Sequence, residues 1–160
     1  LESSGDVTPA GLRPLRFVHS RSDRPEKTAT ARFDWPAATA NFDYRGKSWS
    51  ESGLAAGAQD QLSQLYQFAF LKTLPGDFAL QVAGGRDLND YRYAARAGET
   101  LATPLGSFAT RRYERVGQRP EDKAVSVWIA PGKHRLPLKV RIVDEGVTLE
   151  QRLVAATVRD

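Results

Sequence analysis

Apolar and polar positions alternate with a period of two along most of this chain, which predicts strands. The pattern is clearest in the C-terminal third. Val125, Val127 and Ile129 share one face of Ala124–Ile129, and Leu138, Val140 and Ile142 share one face of Pro137–Asp144. Val147, Leu149 and Leu153 do the same over 147–154. Ser126, Lys139, Arg141, Thr148, Glu150 and Arg152 take the opposite faces, and turns fall at Pro131-Gly132-Lys133 and Asp144-Glu145-Gly146. An antiparallel meander with one wet and one dry face follows.

Earlier in the chain, 15–22 alternates through Leu15, Phe17 and His19, and 28–35 through Ala29, Ala31, Phe33 and Trp35. Separated by the charged turn at 23–27, these two runs predict a hairpin. Thr39–Tyr44 adds a strand with Phe42 and Tyr44 on one face. Further strands are expected near Phe78, Leu80 and Val82, over 88–96, briefly at 99–102, and over 107–116. Residues 1–14 are small and polar and are broken by Gly5, Pro9, Gly11 and Pro14, so they read as a flexible N-terminal segment. The Ser-, Gly- and Ala-rich run at 49–59 reads as a mobile connection.

One stretch changes period. Over 60–74, Leu62, Leu65, Tyr66, Ala69 and Thr73 fall on one helical face, with Phe68 and Leu71 on the other. Asp60 suits the N-cap, Ser63 lies in the capping turn, and Pro75-Gly76 is a stop. The count of eight or nine strands and one helix defines a mainly β (α+β) class: a curved antiparallel sheet, or incomplete β-barrel, wrapped around one helix. A 15-residue helix is about 22 Å long. Nine strands laid flat would span about 40 Å, so the sheet curls or leaves apolar surface beside the helix.

Composition narrows the picture. A chain of 160 residues, 41% apolar and 26% charged, suits a single folded domain without metals or disulfides. It has no run long enough to cross a membrane as a helix. Without cysteine, it has no thiolate nucleophile and no Cys-ligated metal. It also lacks methionine, even at position 1, so the chain is expected to be processed from something longer, with earlier strands and a signal sequence left off. The formal charge of +4 comes from arginines scattered among acids, a solvated surface rather than a nucleic-acid footprint. Arg111, Arg112 and Arg115, around Tyr113, form the densest basic patch.

Catalytic signatures are absent. His19 and His134 stand alone, with no HxH or HExxH spacing. Ser63, Ser107 and Ser126 lie outside any G-x-S-x-G elbow. Asp87, Asn89 and Asp90 lack the remaining ligands of a calcium loop, and Gly84-Gly85-Arg86 lacks phosphate-loop spacing. No cofactor or metal is expected.

Several stretches, taken in order, resemble one family. They are Gly11-Leu12-Arg13-Pro14-Leu15-Arg16-Phe17, Ala31-Arg32-Phe33-Asp34-Trp35, Asp60-Gln61-Leu62-Ser63-Gln64-Leu65-Tyr66, Thr103-Pro104-Leu105-Gly106-Ser107-Phe108, and Val127-Trp128-Ile129-Ala130-Pro131 with Leu136-Pro137-Leu138. Together they are similar to the bacterial exported proteins grouped as domain of unknown function 3108. The resemblance implies a Gram-negative, periplasmic location and a fold like the lipoprotein carriers LolA and LolB, an incomplete barrel lined with apolar residues. It carries no catalytic residues over.

The expected function is therefore a non-enzymatic envelope protein that binds lipid, lipoprotein or another apolar ligand on the concave face. The expected lining is Leu65, Phe68, Phe70, Leu71, Leu80, Val127, Trp128, Ile129, Leu138 and Val140. Trp128 alternates with Val127 and Ile129, so it is also a candidate to point outward. The alternative is a structural or protein-interaction module, such as a surface antigen, with a filled core. An exposed sheet edge leaves the chain either a monomer or a dimer through that edge.

Overall fold

The computed structural model describes residues 1–117, 123–132 and 134–157; Lys133 of the expected 131–133 turn lies outside them. The chain is 59% strand and 7% helical, so the mainly β class stands, with a curled seven-stranded half-barrel sheet and one helix. The strands are β1 (Glu2–Thr8), β2 (Gly11–His19), β3 (Ala29–Asp34), β4 (Thr39–Tyr44), β5 (Lys47–Ser52), β6 (Gln59–Asp60), β7 (Phe78–Ala83), β8 (Leu88–Thr103), β9 (Gly106–Val116), β10 (Ala124–Ile129), β11 (Pro137–Asp144) and β12 (Val147–Arg152). The helix α1 spans Ser63–Phe70. One sheet runs β1-β2-β3-β4-β5, and the seven-stranded one runs β12-β11-β10-β9-β8-β7-β6. Pairing is antiparallel among β1 to β5 and among β8 to β12, and parallel between β6 and β7.

Contacts divide the chain into two compact units. Unit 1 comprises Leu1–Phe70 and Leu80–Tyr91; unit 2 comprises Leu71–Ala79 and Arg92–Asp160.

In unit 1, the register sets Phe17, Ala31, Phe42 and Trp49 side by side across β2, β3, β4 and β5. This row is the spine of a core that also holds Phe33, Ala40, Leu54, Ala58 and Ala83, with Leu62 of the helix approach and Leu88 packed against it. Stacked ring pairs join Phe33 to Trp35 (centroids 5.6 Å apart) and Phe42 to Trp49 (5.7 Å). The Phe42–Trp49 contact explains β5: the Ser-rich run expected as a mobile connection is a paired strand because Trp49 completes the apolar row.

The N-terminal segment is likewise a strand, not a flexible lead. β1 pairs along its length with β2. The prolines and glycines that argue against a strand sit where it tolerates them. Pro14 faces Gly5 at a register shift between Ser4 and Gly5, where a missing N–H is harmless. Gly11 takes the left-handed φ of +116° that the turn requires.

In unit 2, the dry face carries Ala95, Tyr113, Val127 and Val140 in one row across β8 to β11; it stops there, because β12 is the outer strand and is exposed throughout, with Val147 69% and Leu149 52% exposed instead of buried as their alternation predicts. The strands expected at 88–96 and 99–102 are one long β8, irregular between Ala97 and Thr100. The helix also ends at Phe70 rather than Leu74, and Leu71–Ala79 belongs to unit 2 as a bent strap that leads into β7. Its carbonyls are taken by side chains instead of by a continuing helix. Arg111 donates to Leu74 O (3.3 Å) and Pro75 O (3.2 Å), Tyr113 Oη donates to Pro75 O (2.8 Å), and Arg135 donates to Leu71 O. Pro75 further disfavours helical geometry at the residue before it. Phe78 stacks on Tyr93 at 5.1 Å and meets Tyr113 edge-on at 5.6 Å. The helix is thus not the only cover for apolar sheet: the dry face of unit 2 has a strap of its own.

Candidate functional site

Unit 1 contains a groove of about 370 Å³ between the β1–β2 hairpin and the start of α1. Ser3, Ser4, Gly5, Asp6 and Val7 form one wall, Leu12, Arg13 and Pro14 another, and Leu62, Ser63 and Tyr66 the third. Position 5 of the first wall takes glycine because a Cβ there would lie 2.3 Å from the Arg13 carbonyl oxygen.

Behind the groove, a buried polar network fixes helix to hairpin. Asp60 is fully buried and acts as N-cap: its Oδ1 accepts from the N–H groups of Leu62 and Ser63, both at 2.8 Å. Ser63 Oγ returns the favour by accepting from the Asp60 N–H at 2.9 Å, giving a reciprocal capping box. Asp60 Oδ2 accepts from Ser3 Oγ at 2.6 Å, which ties β1 to the same carboxylate. Two glutamines clamp the backbone of Leu12: its N–H donates to Gln67 Oε1 (2.6 Å), and its carbonyl accepts from Gln59 Nε2 (2.8 Å). The Pro14 carbonyl accepts from Trp35 Nε1 at 2.9 Å, and Arg13 lies over the Trp35 ring, 5.4 Å from its centroid.

Chemically, the groove combines carbon surface with the polar Ser4, Asp6 and Arg13 and a polar floor already engaged. Val7, Leu12, Pro14, Leu62 and Tyr66 offer carbon surface, while Ser3 and Ser63 are committed to Asp60. Neither His19 nor His134 is among its lining residues. Among the described residues, no group of three or more metal-ligating side chains converges.

The sequence-derived lining is dispersed. In unit 1, Phe68 is buried, Leu65 and Leu80 are half-buried, and Phe70 is 43% exposed. In unit 2, Val127, Ile129 and Val140 are buried and Leu71 is half-buried. Leu138 borders a smaller cavity of about 160 Å³, with Leu101, Ala102, Thr103, Pro104, Lys139, Arg152, Leu153 and Val154. Trp128 points to the other face from Val127 and Ile129. There it pairs with Arg112 and Lys139 across the strands. The basic patch is divided by the same alternation. Arg112 shares the face of Trp128, whereas Arg111 and Arg115 lie on the face of Tyr113. Arg111 is engaged by the strap carbonyls and Arg115 by the Lys123 carbonyl, so the three do not form one patch.

A family model described as protein of unknown function (DUF3108) matches residues 2–151. The chain belongs to that family. No curated protein and no solved structure matches it significantly. The groove of this DUF3108 domain was missed at the sequence level because the segment forming its outer wall, β1, shows no alternation. The signal that could have located it is the Asp60-x-x-Ser63 cap, which marks where a buried carboxylate needs a partner.

Proposed function

We propose that this DUF3108 domain is a non-enzymatic binding module whose unit 1 groove takes a single apolar or amphiphilic chain, such as a lipid acyl chain. One observation carries the reading. The groove has about 370 Å³ of space, at the lower end of ligand pockets, with carbon surface from Val7, Leu12, Pro14, Leu62 and Tyr66 beside the polar Ser4, Asp6 and Arg13, which suit the head of an amphiphile, and its floor groups Ser3, Asp60 and Ser63 already satisfy one another. A floor of that kind neither demands a polar ligand nor supplies an activated nucleophile. A periplasmic setting and a carrier role like that of LolA and LolB are part of the same proposal. The seat assigned to the ligand is the β1–β2–α1 groove rather than the ten-residue lining expected from sequence.

The test is displacement of a fluorescent fatty acid, together with native mass spectrometry of the purified protein. Bound acyl mass and displacement are expected, and both should disappear in Ser4→Trp, which fills the groove from an exposed position while leaving the melting temperature unchanged. Apo mass alone with no displacement by the wild type would overturn the proposal. The interaction-module alternative is favoured by a different observation: β1 is the outer strand of its sheet, with Val7 65% exposed. It predicts concentration-dependent association abolished by a proline in β1, with no ligand bound.

A further inference from the structure

We propose that the face of unit 2 carrying Trp128 docks on the surface of an anionic lipid bilayer. The strand register aligns Arg96, Arg112, Trp128, Lys139 and Arg152 in one row across β8, β9, β10, β11 and β12. With strands about 4.8 Å apart, the row is about 19 Å long. Cations placed side by side on a sheet repel one another, so such a row needs support. Trp128 separates its two halves, with Lys139 Nζ 3.9 Å from the ring centroid on one side and the Arg112 guanidinium 5.8 Å away on the other; Trp128 and Lys139 are themselves buried (4% and 9% exposed), so they brace the row and the arginines are the groups that meet the headgroups. Glu114 pairs with Arg112 (3.1 Å) and Arg96 (3.7 Å), Glu99 with Lys139 (2.6 Å), and Glu150 with Arg152 (2.7 Å). Arg141 stands in the adjacent row, opposite Ser126 and Glu150. With the buried Lys139 neutralised by Glu99, four arginines stand against two carboxylates, Glu114 and Glu150, which leaves the accessible part of the two rows net positive. The end arginines are the most available, with side chains 52% (Arg96) and 62% (Arg152) exposed.

What selects a bilayer over another polyanion is the surface beside Arg152. The 160 Å³ cavity joins Lys139 and Arg152 to Leu101, Pro104, Leu153 and Val154, and the rim leaves Val154 67% exposed. Leu105, in the turn after β8, is 46% exposed. Nucleic acid or a sulfated glycan gains nothing from exposed leucine and valine. A bilayer accepts both kinds of group: headgroups meet the arginines, and the apolar tips enter the headgroup–acyl boundary. This docking uses none of the residues that line the unit 1 groove.

Vesicle co-sedimentation tests it. The protein is expected to bind phosphatidylglycerol–phosphatidylcholine vesicles, to bind phosphatidylcholine vesicles far less, and to be released by salt. Arg96→Gln and Arg152→Gln should each weaken binding about fivefold, the equivalent of about 1 kcal/mol per cation near the surface. Leu105→Ser should weaken it without altering the salt slope, and Ser4→Trp should bind like the wild type. Circular dichroism melts confirm that each variant is folded. Equal binding to both vesicle types, no binding at low ionic strength, or loss in Ser4→Trp would each overturn the proposal. So would heparin retention that requires the arginines while Leu105→Ser has no effect on vesicles, which would reassign the face to a soluble polyanion.

Discussion

Asp60 shows how much one side chain can organise. It is fully buried, and its two oxygens satisfy two helix N–H groups and the Ser3 hydroxyl. Asp60→Ala removes the cap and strands those donors, so a loss of about 2–3 kcal/mol is expected in urea unfolding. An unchanged midpoint would contradict the capping role. Tyr113 does comparable work in unit 2. Burial raises its hydroxyl above the ordinary 10.0, with Arg111 pulling weakly the other way. The unfolded chain therefore ionises first as pH rises. The stability Tyr113 contributes is present below pH 10 and is lost as pH climbs through the folded value. Tyr113→Phe should cost about 1 kcal/mol at neutral pH by losing the bond to Pro75 O, and its base-side fall in melting temperature should be shallower than that of the wild type.

At the scale of elements, the β1–β2 hairpin depends on its turn and its bulge. Gly11 combines a φ of +116° with a position where an added Cβ would lie 2.4 Å from Gln67 Nε2. Gly11→Ala is expected to cost about 1–3 kcal/mol and to speed hydrogen exchange at the amides of β1 before those of β4. The helix start was legible in the sequence, since Asp60 and Ser63 stand at capping distance. Its end was not, because the carbonyls of Leu71, Leu74 and Pro75 are claimed by arginines and a tyrosine remote in sequence. Strand β5 was hidden for a similar reason: its single apolar anchor, Trp49, has meaning only opposite Phe42.

For the molecule as a whole, charge placement predicts an acid limit to stability. Ser48, followed by Arg32, holds the Asp43 carboxyl below its ordinary value. Lys139 does the same for Glu99, Arg152 for Glu150 and Arg21 for Asp23. Each is a depressed carboxylate, so its contribution is present above the unfolded values of 3.8 (Asp) or 4.5 (Glu) and disappears as pH falls through the folded one. All four lie in solvent, so the effect is modest and screened by salt. Melting temperature is expected to decline below about pH 4.5, less steeply in high salt than in low. An acid limb insensitive to salt would point instead to buried groups.

The sequence by itself determined the class of the fold, the meander of β10 to β12, the apolar rows of β10 and β11 and the cap of the helix. Each of these rests on periodicity or on contacts a few residues apart, which a linear chain records directly. Tertiary structure decided the rest. It alone paired the Gly- and Pro-broken N-terminus with β2 and divided three neighbouring arginines between two faces. It also brought Arg96, Arg112, Trp128, Lys139 and Arg152 into one row. Strand register is set by partners up to dozens of residues away, and a shift of one residue would turn every side chain to the other face. The groove and the cationic row are both products of register, which is why neither was visible in the sequence.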